Sequence, residues 1–218
     1  MKKLLNVLLL CVLLSGCLPE DEEKSEIIYV AFATVENPNA TTKFFLVLDN
    51  DTKLYTAEIG ELADPDLGHP KDGRRVFVNY NVLEPASANN IKLKNLVYVP
   101  ISGMTNNTTE RNDRYRLDML YLGAGYLNVL MSHNFSSSLI DKLEILLIRK
   151  DSQEEGTAHF DLIYNNGGDS GTNFSMSPIC FDLSPLKTTY PDSVKLVIST
   201  YEESPESPKI HTMKYKWQ

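Results

Sequence analysis

Basic charge, cysteine pairs and long apolar runs are all scarce in these 218 residues. Lys and Arg number 21 against 29 Asp and Glu, for a formal net charge of −8. That acid excess excludes a surface built to neutralise phosphates, because nucleic-acid binding rests on clustered Lys and Arg. It equally removes an electrostatic contact with anionic lipid. No segment offers the roughly 20 apolar residues that a transmembrane helix needs. The three cysteines, Cys11, Cys17 and Cys180, do not make a disulfide framework, even in a compartment that permits one. The four histidines, His69, His133, His159 and His211, include no pair at zinc spacing, and no glycine loop has the phosphate-cradling form. No metal and no cofactor are expected.

The first residues are informative. Lys2 and Lys3 precede an apolar core at 4–14 that only Asn6 interrupts. Its length suits the central region of a secretory signal peptide. Leu14-Ser15-Gly16-Cys17 then resembles the lipobox of bacterial lipoproteins. That resemblance implies cleavage between Gly16 and Cys17 and a diacylglyceryl group, palmitate or a similar chain, on the Cys17 thiol. Residues 1–16 would be the signal peptide and 17–26 a lipidated tether, with the membrane as partner through Cys17. Each buried methylene contributes about 0.8 kcal/mol, so two or three chains hold a protein firmly without a transmembrane helix. With Cys17 acylated, Cys180 in "SMSPICFDL" has no partner and reads as a small buried hydrophobe. Glu20, Asp21, Glu22 and Glu23 read as a solvated tether. They also resemble the acidic signal that follows the lipidated cysteine in surface lipoproteins of Bacteroidota. The expected location is the outer membrane facing the cell surface, with a periplasm-facing anchor as the alternative.

Beyond the tether the pattern is that of short strands. "IIYVAFATV", "KFFLVL" and "KLYTAEI" are rich in β-branched and aromatic residues, and Asp49-Asn50-Asp51-Thr52 between the last two is hairpin-turn chemistry. "RRVFVNYNVLE" alternates, with Val76, Val78, Tyr80 and Val82 on one face and Asn79 and Asn81 on the other. "IKLKNLVYVPI" completes five strands over 27–101. The polar, patternless stretch 102–113 reads as a linker. Over 114–218, seven strands follow at sandwich spacing: "YRLDMLYL", "GYLNVLM", "LEILLIRK", "AHFDLIY", "NFSMSPICFDL", "SVKLVISTY" and "IHTMKYKW". The first half of "SSLIDKLEILLIRK" also fits a helical turn.

These phrases together resemble the NigD-like lipoproteins of Bacteroidota: the lipobox, "LVLDNDTKLY", "GRRVFVNYNVLE", "LYLGAGYLNV" and "FDLSPLK". The resemblance implies an all-β chain, an N-terminal five-stranded OB-like barrel followed by a C-terminal β-sandwich. It implies no catalytic residues, and a link to a bacteriocin locus through the family's name.

Two stretches invite a chemical test. "GGDSGT" has the letters of a serine-protease nucleophile segment, but no histidine here stands in a matching base sequence, and Asn165, Asn166 and Thr172 around it read as a long hairpin loop. The acidic loop with Glu61, Asp64, Asp66, His69 and Asp72 fails the EF-hand pattern, because the twelfth position from Asp64 is Arg75. On OB barrels, strands two and three bind oligonucleotides or oligosaccharides. Phe44, Phe45 and Tyr55 are the aromatics there, and Tyr121 and Tyr126 flank "LGAG"; alternation does not say which face outward. The expectation is a non-enzymatic lipoprotein that binds a protein, peptide or glycan. A bacteriocin-associated immunity or export role, a structural envelope role and an unrecognised hydrolase are the alternatives.

Overall fold

The computed structural model describes residues 26–62, 65–84, 89–107, 113–135, 143–152, 154–167, 171–202 and 207–217. Gly16, Cys17, the acidic run, Asp64, Asp169, Ser170 and the possible helical turn before Leu143 lie outside these residues.

Five strands close a barrel: β1 (Tyr29–Glu36), β2 (Phe45–Leu48), β3 (Lys53–Ile59), β4 (Arg75–Val82) and β5 (Asn90–Tyr98), in the order β1-β2-β3-β5-β4. All pairs are antiparallel except β3 with β5. The β2–β3 turn forms as its residues dictate. Asp51 takes a φ of 64°, Asn50 Oδ1 accepts the Thr52 amide at 3.1 Å, and Leu48 and Thr52 close the hairpin at 2.9 Å. Asp tolerates that left-handed backbone and Asn supplies the local acceptor. Alternation then fills the barrel with Val35, Leu46, Val76, Val78, Ile91 and Leu93.

The second domain has two sheets. One holds β14 (Lys209–Lys216), β13 (Ser193–Thr200), β11 (Thr157–Asn165), β10 (Glu144–Lys150) and β7 (Met104–Thr105) in that order. The other holds β6 (Ile101–Ser102), β12 (Asn173–Asp182), β9 (Tyr126–Phe135) and β8 (Arg116–Gly123). Leu127, Val129, Met131, Phe160, Leu162, Phe181, Leu196 and Ile198 meet between them. All seven expected strands are present.

The stretch read as a linker departs from expectation. Ile101–Ser102 pairs in parallel with Cys180 and Phe181, and Met104–Thr105 pairs in parallel with Leu147 and Ile148. The chain leaving the barrel thus joins one sandwich sheet, passes through Gly103 and joins the other. Strands of two residues carry no periodicity, so composition alone gave them no signal.

The barrel packs on the outer face of the four-stranded sheet. Strand β9 is buried on both faces. Leu127, Val129 and Met131 enter the sandwich core, while Leu130 meets Phe32, Phe77, Val99 and Cys180 in a separate cluster. Phe32 and Phe77 are register partners with rings edge-on at 5.0 Å. Burying each such side chain contributes about 1.5–3 kcal/mol, enough to make the junction a second core.

Candidate functional site

The phrases that looked characteristic in the sequence converge at this junction. Arg75, from "GRRVFVNYNVLE", is only 2% exposed. Its Nη2 donates to Asp49 Oδ2 at 2.7 Å and to Asn128 Oδ1 at 2.8 Å, and its Nη1 to Thr34 Oγ1 at 3.3 Å. Asp49 comes from "LVLDNDTKLY" and Asn128 from "LYLGAGYLNV". The Asn128 amide nitrogen donates to Asp49 Oδ2 at 2.9 Å, and the Cys180 thiol donates to Asn128 Oδ1 at 3.0 Å. The Arg75 guanidinium also lies over the rings of Phe32 and Tyr126, at 5.9 and 5.4 Å. A Cβ on Gly123 would stand 2.5 Å from Asp49 Cβ, so this glycine is what admits the aspartate.

The electrostatics suit a latch. Burial works against the Arg75 charge, but the adjoining Asp49 carboxylate outweighs it and the guanidinium is held protonated more firmly than usual. Burial raises the Cys180 thiol, more than Arg75 lowers it, so it stays a protonated donor and a poor nucleophile. Burial, then Asp49, also push Tyr121 up. Tyr121 sits edge-on to Phe32 at 6.0 Å. Tyr121 and Tyr126 are therefore parts of the domain junction. The sequence reading gave Asp49 only a place in the hairpin turn and Arg75 only the part of a cation that breaks the calcium pattern, and it gave Gly123 and Asn128 no role. The available signal was Phe77, an aromatic in step with Arg75, Asn79 and Asn81 on the face of the strand that alternation set out as polar.

The barrel presents two further surfaces. Around β2 and β3, Phe44 just ahead of β2 is buried in the core while Phe45 is 41% exposed, its ring 5.2 Å from Tyr55. Lys53 stands 5.7 Å from the Phe45 ring centre and pairs with Glu36 at 2.6 Å. At the barrel end where β1 starts and β4 finishes lies a cavity of about 710 Å³, lined by Tyr29, Leu54, Tyr80, Asn81, Ile91 and Lys92 among others. Tyr29 stacks on Tyr80 at 5.6 Å. Burial, then Tyr29, raise the Tyr80 phenol, which keeps its proton and can donate. Asn81 is 8% exposed; its Nδ2 donates to the Ile27 carbonyl at 2.6 Å, and its Oδ1 is buried without a partner among the described residues. A buried acceptor left unpaired costs about 1–3 kcal/mol.

The other candidates resolve differently. Tyr164 Oη donates to the Asn134 carbonyl at 3.1 Å and lies 2.9 Å from His133 Nδ1, so it accepts from that nitrogen; His133 Nε2, at 2.8 Å, then accepts from Ser177 Oγ. The order of groups matches a serine-hydrolase relay, yet His133 is buried and Ser177 lies in strand β12 opposite Met131. Burial lowers the His133 pKa, which keeps the ring neutral. In the acidic loop, Asp72 Oδ1 accepts the Asn37 amide at 2.6 Å, and Pro65–Gly68 forms a 3-10 turn. Among the described residues no three His, Cys, Asp or Glu side chains are grouped to hold a metal, and no helix is long and apolar enough to cross a membrane.

Two family models tile the chain: the NigD-like N-terminal OB domain over residues 32–97 and the NigD-like C-terminal beta sandwich domain over 98–215. The chain belongs to the NigD-like family. No curated protein matches it. Solved structures share the fold. A protein of Parabacteroides distasonis, provisionally called toxin-related, is 23% identical with a TM-score of 0.63, over 87% of this chain and 94% of its own. A NigD-like immunity protein of Bacteroides caccae is 16% identical with a TM-score of 0.63, over 89% and 99%. A protein of unknown function from Bacteroides vulgatus is 25% identical with a TM-score of 0.59, over 88% and 92%.

Proposed function

We propose that this NigD-like chain is a lipid-anchored, non-catalytic binding protein of the outer membrane, displayed on the cell surface. The observation that carries the reading is Leu14-Ser15-Gly16-Cys17 behind a short apolar core, followed closely by a folded barrel. Strand β1 begins at Tyr29, so the tether from Cys17 reaches at most about 40 Å. The barrel cavity beside Tyr29 is then held near the membrane. Buried, structurally engaged His133 and Cys180 favour binding over catalysis.

Proteinase treatment of intact cells against cells with a permeabilised outer membrane tests display. Digestion in intact cells supports it, whereas protection until permeabilisation reduces Glu20–Glu23 to a tether facing the periplasm. Cys17→Ala tests the anchor. The variant should leave the membrane fraction and take up no labelled fatty acid; retention of both would exclude lipidation at this residue.

The Bacteroides caccae structure is called an immunity protein; with the bacteriocin link that the family resemblance implies, this favours a second reading, immunity to a bacteriocin. Expression of this chain in a sensitive relative should then raise survival in a producer's culture fluid. Unchanged killing counts against it.

A further inference from the structure

We infer that two copies of this chain pair edge to edge through the open half of β12, with the two strands antiparallel about a dyad at Ser175. This contact is separate from the ligand-binding role proposed above.

Strand β12 pairs with β9 along its whole length. On its other side β6 reaches only Cys180 and Phe181. The Cys180 amide donates to the Pro100 carbonyl at 3.0 Å on the β6 side, whereas the Leu183 amide donates to the Gly125 carbonyl at 3.1 Å on the β9 side. Backbone groups point alternately to the two sides of a strand. The N–H and C=O of Phe174 and Met176 therefore point away from β9, in step with those of Cys180. No strand among the described residues meets them there. Pro178, next in step, has no N–H to offer on that side, which suits an edge. Phe174 is 62% exposed and Met176 53%.

An open edge is a template for another strand, and proteins commonly guard it with charge. The other sandwich edges are guarded. Lys209, Lys214 and Lys216 lie on β14, and Arg116 and Asp118 lie on β8. Glu144, Arg149 and Lys150 lie on β10, which β7 covers only at Leu147 and Ile148. Residues 173–178 of β12 carry no charge. Two copies of a chain with a net charge of −8 can meet on this strip without setting like charges together.

The strip also complements itself. With Ser175 opposite Ser175 of the second copy, Phe174 and the second copy's Met176 exchange both backbone hydrogen bonds, and the dyad repeats the exchange. Their side chains share one face, where a thioether beside a ring is favourable. Pairing ends where Pro178 lacks a donor and β6 takes over the edge. A strip this short buries less than the ~1,200 Å² of a standard interface, so the dimer is a weak one.

Sedimentation equilibrium of the chain without residues 1–17, from about 1 μM to about 1 mM, tests the pairing. A monomer–dimer equilibrium is expected. Met176→Pro removes an N–H that points away from β9 and so spares the β9 ladder. Met176→Lys sets a charge on the strip. Each should raise the dissociation constant by about tenfold or more. Phe45→Ala, an exposed aromatic on the barrel, should leave it unchanged. Thermal melts of all three variants show that each is folded. Cross-linking reads the register, with Cys180 buried and out of reach. Phe174→Cys copies mixed with Met176→Cys copies should form a disulfide on oxidation, because hydrogen-bonded partners stand about 5.5 Å apart. Neither variant should cross-link alone, because the diagonal is longer than a disulfide spans. A dimer indifferent to both Met176 variants, or lost with Phe45→Ala, overturns the site. Cross-linking of either variant alone but not of the mixture overturns the dyad at Ser175. A monomer at every concentration overturns the pairing of copies and leaves this edge to a foreign strand.

Discussion

Strand β4 carries a buried polar side chain near each end; both keep one buried atom without a hydrogen-bond partner among the described residues, Arg75 Nε and Asn81 Oδ1, but they differ in how far they are tied in. Arg75 at the start meets Asp49, Thr34 and Asn128, with Phe32 and Tyr126 over its guanidinium. Asn81 near the finish has one bond to the Ile27 carbonyl and a carbonyl oxygen left without a partner among the described residues. The first environment is closed by a second domain; the second lies within the barrel, beside the cavity that Asn81 helps to line. A polar group with partners on both domains specifies how they dock, whereas one tied to a single backbone carbonyl of its own domain does not.

The largest effect should come from breaking the Arg75 side. Asp49→Ala leaves a buried cation without its carboxylate and should cost about 3–5 kcal/mol, read as a lower midpoint in urea. Gly123→Ala attacks the same junction sterically. Its new Cβ would fall 2.5 Å from Asp49 Cβ, and overpacking of this kind costs about 1–3 kcal/mol. Loss of stability without loss of either domain's own circular-dichroism signature would mark the damage as undocking.

His133 sharpens the comparison as a buried polar group with both ring nitrogens partnered. Burial lowers its pKa below the unfolded value near 6.5. The unfolded chain therefore takes up a proton first as pH falls. The contribution is intact above about pH 6.5 and is lost as pH drops through the lower folded pKa. Urea midpoints measured from pH 7.5 to 5 should decline, and His133→Gln should flatten that part of the profile. The smallest change is expected at Asn81. Asn81→Leu gives up one hydrogen bond but also removes an unpaired buried acceptor, so stability should move by no more than about 1 kcal/mol.

Most of the fold was legible in the chain because alternation reports which face of a strand is buried. "SVKLVIST" alternates half-buried and buried residues throughout, and Met213, Tyr215 and Trp217 pack on the sandwich core as their spacing implied. The junction was not legible. Asp49 and Arg75 are 26 positions apart, Arg75 and Asn128 are 53, and Asp49 and Asn128 are 79. No local pattern encodes such pairings. Phe44 and Phe45 illustrate the same limit at short range. Adjacent aromatics announce a strand, but only the closed barrel assigns one to the core and the other to solvent.

The most direct measurement places Asp49→Ala and Asn81→Leu beside the parent chain in one urea titration at pH 7.5. The account predicts a loss of about 3–5 kcal/mol for the first and a change within about 1 kcal/mol for the second. Equal large losses would make Asn81 another structural fastener and remove the distinction between the two ends of β4. Equal small effects would show that the Arg75–Asp49 pair does not hold the domains together.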